Sequence, residues 1–205
     1  QKYTPGLHAK HTGAEGPIKA GVDGNHVYVY GTAGDAGKKE IAARRQQAVK
    51  ASNWSINRGW YGRMKIFPRV AADTNLRKSD FTHAHMVLFG NKGTNKVIAE
   101  YADRLPMHLT GQTGEYGLVY VYPVKGRYFL VSSGLPWWTP PKQEGANRGG
   151  FGLPPRLAPL GGMKDFLLFK GTPDNVIAEG YFTHDWQLPA ETREKLESAA
   201  VIELN

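Results

Sequence analysis

A short aromatic and β-branched run, a glycine-rich turn and a long stretch free of glycine and proline follow one another from His26 to Ile56. His26-Val-Tyr-Val-Tyr30 has the composition of a strand. Gly31-Thr-Ala-Gly-Asp-Ala-Gly37 supplies the turn, and the Ala-, Arg-, Gln- and Lys-rich residues from Lys38 to about Ile56 predict a helix. The sequence repeats this order. Ala84-His-Met-Val-Leu-Phe89 reads as a buried strand, Gly90-Asn-Lys-Gly-Thr-Asn95 as a turn, and about Asn95 to Arg104 as a helix. On that helix Val97, Ile98, Tyr101 and Leu105 share one face, and Pro106 marks its end. Strand, glycine turn, helix is the opening of an α/β unit, and two such units constrain the fold more than any other feature.

The remaining segments read mostly as strands. Arg63 to Phe67 forms a short candidate, stopped by Pro68. Gly117 to Tyr122 and Arg127 to Val131 flank the turn Pro123-Val-Lys-Gly126 as a hairpin. Asp165 to Phe169 and Val176 to Phe182 are two further strands, and about Pro189 to Ala200 a closing helix. Residues 1–25 read as an extended lead-in, and the Pro- and Gly-rich residues 134–162 as a long surface loop or a boundary. Leu88-Phe89 with Thr94 to Tyr101 is echoed by Leu168-Phe169 with Asp174 to Tyr181, but Gly180 argues for a strand in the second copy, so the echo is read as chance. The expectation is one domain over residues 1–205. Its fold class is α/β, a three-layer Rossmann- or flavodoxin-like mainly parallel sheet with an antiparallel hairpin addition.

With 40% hydrophobic and 21% charged residues the chain is long and apolar enough to bury a core, which argues against disorder. No apolar run approaches the roughly 20 residues that cross a bilayer. The absence of cysteine excludes disulfides, thiolate metal sites and a cysteine nucleophile. The net charge of +8 is local: eleven basic residues lie between Lys38 and Lys78, opposed only by Glu40 and Asp73. Trp54, Trp60, Tyr61 and Phe67 interleave them, the composition of a single-strand-binding surface. A solvated helix face is the commoner origin of such a run, so nucleic-acid binding ranks third among the functions considered.

The two glycine turns are the main candidates for ligand binding, at Gly31, Thr32 and Gly34 and at Gly90, Asn91, Gly93, Thr94 and Asn95. Turns between a strand and a helix N-terminus favour an anion, and tight βα turns also need glycine for conformation alone. Neither fits the P-loop, because five residues separate Gly31 from Gly37 and Lys39 stands at the hydroxyl position. Neither fits the dinucleotide fingerprint. His83 and His85 begin a zinc site but lack a third ligand. Ser132-Ser133-Gly134 with His184-Asp185 suggests a triad, but no Gly-x-Ser-x-Gly elbow exists. Arg44, Arg45 and Lys50 on the first helix and the Trp137-Trp138 pair are candidate partner contacts. No cofactor and no metal are expected.

His11-Thr-Gly-Ala-Glu-Gly-Pro-Ile18, Met86 to Asn95, and Gly117 to Gly134 with its Tyr-Phe-Leu-Val-Ser-Ser-Gly ending carry a resemblance. Together, and more weakly at Val176 to Leu188, they resemble the C-terminal accessory domain that follows the catalytic module in large secreted or periplasmic bacterial α/β-hydrolases, esterases and prolyl-oligopeptidase-like enzymes. Lys19-Ala-Gly stands where that pattern carries acidic residues. The resemblance implies a scaffold whose catalytic serine belongs to the preceding module, so it assigns no catalytic residue here. Its implied partner is that α/β-hydrolase module, with no membrane. The expected function is a non-catalytic domain docking on or modulating the catalytic module. The alternative is a small-molecule-binding or hydrolytic enzyme using the glycine turns.

Overall fold

The structure, a computed structural model, describes residues 9–11, 13–57, 63–110, 114–139 and 157–205, with 54–57 and 63–66 as backbone only. Chain order is β1 (His26–Tyr30), α1 (Lys38–Ser52), β2 (Trp54–Asn57), β3 (Arg63–Ile66), β4 (Arg69–Ala72), α2 (Lys78–His83), β5 (His85–Phe89), α3 (Lys96–Glu100), β6 (Met107–Leu109), β7 (Tyr116–Val124), β8 (Arg127–Gly134), β9 (Phe166–Lys170), β10 (Val176–Gly180), α4 (Ala190–Ser198) and β11 (Ile202–Leu204). Short 3-10 turns sit at Ile18–Val22, Ala102–Arg104 and Ala158–Gly162.

Seven strands form one mixed sheet in the order β10-β9-β7-β8-β5-β1-β4. β4, β1, β5 and β8 run parallel, while β8, β7, β9 and β10 alternate in direction. Two small antiparallel pairs, β2–β3 and β6–β11, complete the pairing. The α/β class holds, but the expected mainly parallel sheet does not: five of the eight strand pairings described are antiparallel. The physical reason lies in the two hairpins from β7 onward. β7 turns directly into β8 and β9 directly into β10, and a hairpin joins antiparallel neighbours, whereas parallel neighbours require a crossover.

Alternation along the strands sets three layers. On β8 Phe129 meets Tyr101 at the end of α3, with ring centroids 5.1 Å apart, whereas the next residue, Leu130, lies against Gly21 on the opposite face. Phe89 shares the face of Leu130 and stacks on Trp137, beside α1 and Ile18–Val22. The central strands β1 and β5 are buried on both faces, which explains their unbroken apolar reading. One continuous core runs from Ile18 to Ile202.

Local outcomes differ from expectation at several points. The first helix stops at Ser52, because Trp54–Asn57 pairs with Arg63–Ile66 as β2 and β3. The hairpin turn is tighter than expected: Val124 pairs with Arg127, leaving only Lys125 and Gly126, both with positive φ. That is the two-residue loop whose twist matches the strands. The second copy of the echo is strand β10, where the first is helix α3. Trp60, Tyr61, residues 1–8 of the lead-in and residues 140–156 of the Pro/Gly-rich loop lie outside the described residues. Both flanks of that loop enter the core, through Trp137 on one side and Leu157 and Leu160 on the other.

Candidate functional site

The chain leaves β1 toward β4 on one side and β5 toward β8 on the other, so the turns after β1 and β5 meet where the connections diverge. In open α/β sheets this is where ligands bind. The two glycine turns converge there as the sequence suggested, and they meet each other. A Cβ on Gly31 would fall 2.8 Å from the Asn95 Cα and closer still to the Thr94 carbonyl. One on Gly34 would fall 2.8 Å from the Gly93 oxygen. Gly34 and Gly90 also hold positive φ, at 68° and 108°.

Polar side chains fill what the glycines leave. Asp73, just past β4, accepts from the Thr32 hydroxyl at 2.6 Å and from the Thr32 and Lys96 backbone N–H groups at 3.0 and 2.7 Å. Its carboxylate thus takes the place an external anion would occupy beside the first residue of α3. Asn95 is fully buried. Its side-chain oxygen accepts from Val97 and Ile98 at the start of α3, while its amide donates to the Phe89 carbonyl at 3.0 Å. Thr94 Oγ1 accepts from the Asn91 N–H, and Asn91 Oδ1 from the Gly93 N–H. Arg44 closes the group from α1: Nη1 donates to the Ala33 carbonyl at 2.8 Å and lies within 3.4 Å of the Gly31 and Thr94 carbonyls, and Nη2 pairs with Glu40. The eight predicted ligand residues therefore form one cluster whose described hydrogen bonds run to the chain itself.

The predicted partner residues divide. Arg44 is committed to the turns. Arg45 and Lys50 are exposed, as are Lys38 and Lys39, and none of the four forms an ion pair among the described residues. Trp137 is 1% exposed and stacks on Phe89, so of the tryptophan pair only the half-buried Trp138 reaches the surface. It borders a groove with Ala43, Gln46, Gln47 and Lys50 of α1. That helix is thinly packed: of its fifteen residues only Ala48, Ala51 and Ser52 are buried.

Other candidates separate in space. His83 ends α2 and His85 opens β5, and no group of three metal-ligating side chains occurs among the described residues. Ser133 Oγ donates to the Gly90 carbonyl at 2.6 Å and is buried. Trp186, two residues after His184, packs on Tyr122 and Tyr128 at the opposite end of β8. Five residues of strand, roughly 16 Å, separate Tyr128 from Ser133. The imagined triad is not assembled.

That opposite end holds groups the sequence reading did not single out. Lys10 reaches Asp165 at 2.5 Å, with the carboxylate fully buried and also accepting from the Phe182 N–H at 2.9 Å. Gly16, with φ 81°, donates its N–H to the Tyr128 hydroxyl. A Cβ there would lie 2.9 Å from the Asp165 Cγ, so the Gly-Pro-Ile segment is shaped by this contact. The only signal was the His11-to-Ile18 motif, which carried a resemblance but no chemistry. Comparison with protein-family models, curated proteins and solved structures finds no match for the chain.

Proposed function

We propose that this chain is a non-catalytic accessory domain of a secreted or periplasmic bacterial hydrolase, an esterase or peptidase, and that it docks on the catalytic module. The observation that carries the reading is the contrast between its two candidate surfaces. The strand ends where a flavodoxin-like domain holds its ligand are filled by Asp73, Asn95 and Arg44. Meanwhile α1 turns exposed Ala42 and Ala43 to solvent, with four cations that form no ion pair among the described residues. A helix that buries one turn and leaves small apolar residues between cations suits an acidic protein surface better than bulk water. The parallel order β4-β1-β5-β8 is that of a flavodoxin-like sheet, and the α/β-hydrolase resemblance supplies the partner.

The test begins with the reading frame. A Gly-x-Ser-x-Gly module encoded with this chain is expected, and its absence from the frame and from adjacent genes overturns the reading. Where it is present, the module should bind the chain, and Lys39→Glu, Arg45→Glu and Lys50→Glu together should weaken that binding by tenfold or more, as expected on the order of 1.4 kcal/mol of lost complementarity. Unchanged affinity removes α1 from the interface. Oligonucleotide binding with a steep salt dependence would instead favour the nucleic-acid reading.

A further inference from the structure

At the far end of the sheet from the glycine turns, the Lys125–Gly126 turn and the first residues of β5 and β8 border a cleft of about 320 Å³. That volume suits a small organic ligand. Its wall includes His11, His85, Lys125, Arg127, Tyr128 and Trp186, and among the described residues no carboxylate. The nearest acids lie outside that wall: Asp165 is buried behind Gly16 with one oxygen on Lys10, Asp23 pairs with Lys19, and Glu15 is exposed.

The wall offers donors in excess of acceptors. Arg127 gives only Nε to the chain, to the Thr82 carbonyl at 2.9 Å, and its terminal nitrogens have no partner among the described residues. The Tyr128 backbone N–H donates to His85 Nδ1 at 2.9 Å, so the neutral imidazole carries its proton on Nε2. The Tyr128 hydroxyl accepts from the Gly16 N–H at 2.9 Å and keeps its own proton to donate. The Trp186 indole N–H is buried and has no acceptor among the described residues. Behind these donors the Trp186 ring, 1% exposed, packs on Tyr128, Tyr122 and Phe182 at 5.8–6.0 Å, with the Lys10 ammonium 4.7 Å from its centre. Trp186 holds a positive φ of 57°, uncommon for a bulky residue and a feature that clusters at ligand sites.

We propose that this cleft binds an organic carboxylate, with the anionic group on Arg127 beside Tyr128 and the apolar part of the ligand against Ala14 and Pro123, next to the buried Trp186. A planar guanidinium is the group best suited to hold a carboxylate with two hydrogen bonds, and among the described residues no carboxylate of the wall competes for it. Two sources share this chemistry, a free aryl or alkyl acid and the C-terminal residue of a peptide. The inference stands independently of the docking reading, since it concerns the other end of the sheet.

The experiment titrates the whole chain with phenylacetate, with N-acetyl-Gly-Phe, and with the corresponding amides, using calorimetry and the indole N–H resonances. Saturable binding of either acid, with a shift of the Trp186 indole resonance (assigned with Trp186→Phe) and about tenfold weaker binding of the amides, is the expected result. Binding of phenylacetate identifies a free acid as the source, and binding of the peptide acid alone identifies a chain terminus. Arg127→Gln should weaken binding about tenfold while Lys50→Glu leaves it unchanged. Equal affinity for acids and amides, failure of both acids to bind, or an unmoved Trp186 indole in the unaltered chain overturns the proposal whether or not the Arg127 variant folds.

Discussion

Gly31 and Thr94 sit backbone against backbone, so closely that a Cβ on Gly31 would overlap the Thr94 carbonyl. The contact joins the turn after β1 to the turn after β5, and backbone cannot swing aside as a side chain tip can. Gly31→Ala should therefore destabilise the fold by about 3 kcal/mol. Gly37, at the start of α1, has a negative φ, and a Cβ added there would meet no atom within 4 Å. Gly37→Ala, which only exchanges a fair N-cap residue for a poor one, should cost about 0.5–1 kcal/mol. Urea unfolding midpoints of the two variants make the comparison.

Arg44 and its neighbours on α1 should behave differently although all are cations. Arg44→Ala removes donors from the Ala33, Gly31 and Thr94 carbonyls and is expected to cost about 1–3 kcal/mol. Lys39→Glu, Arg45→Glu and Lys50→Glu touch exposed positions without ion pairs among the described residues, and each should fall within about 0.5 kcal/mol of the parent. Thermal and urea unfolding distinguish the two classes.

Acid should weaken the fold in two stages. Burial holds the pKa of His26 below its ordinary value, against a weaker upward pull from the Gly24 carbonyl, and burial, Arg127 and His26 hold His85 down. The folded state resists protons that the unfolded chain accepts, so their contribution is complete above about pH 6.5 and is lost as pH falls below it. Asp80 follows at lower pH: burial opposes its ionisation, but hydrogen bonds from Arg69 and Arg77 and their charges outweigh it and hold its pKa below the carboxylate range. Its contribution disappears as pH falls through and below about 4. Unfolding free energy measured from pH 8 to 3 should decline in both windows, and His85→Gln should flatten the upper one.

Ser133→Ala removes a buried hydroxyl that donates to Gly90, and should cost about 1 kcal/mol. It should leave any background hydrolysis of p-nitrophenyl acetate unaltered. A loss of hydrolysis in this variant, with the fold retained, would return the chain to the enzymes.

The two strand–turn–helix units were legible because β1 and β5 are buried on both faces and read as unbroken apolar runs. The meeting of their turns followed from that order alone. β4 was not legible: it has four residues, follows Pro68 and opens on Arg69, whose guanidinium is held by Asp80. β6 and β11 have three residues each, too few for a period to register, and pair across 90 residues of chain or more. Asp73 registered only as a charge opposing the basic segment, since its role depends on Thr32 and Lys96, which the fold alone brings to it. Lys10 and Asp165 lie 155 positions apart, and no local pattern announces their pairing.

That pairing makes Lys10 and the residues from Gly13 to Ile18 a clasp on the sheet. Lys10 answers a carboxylate with no exposure to water, the Lys10 N–H holds the His184 carbonyl, and the Ile18 N–H holds the Lys164 carbonyl. The earliest described stretch of the chain is thereby fastened to β9, β10 and the turn after them. A polypeptide cut to begin at β1 would keep every helix and strand of the main sheet but take from Asp165 both the Lys10 ammonium and the Gly16 backbone packed against it. The working boundary of the domain therefore lies ahead of Lys10, sixteen positions before the first strand that secondary structure alone would choose.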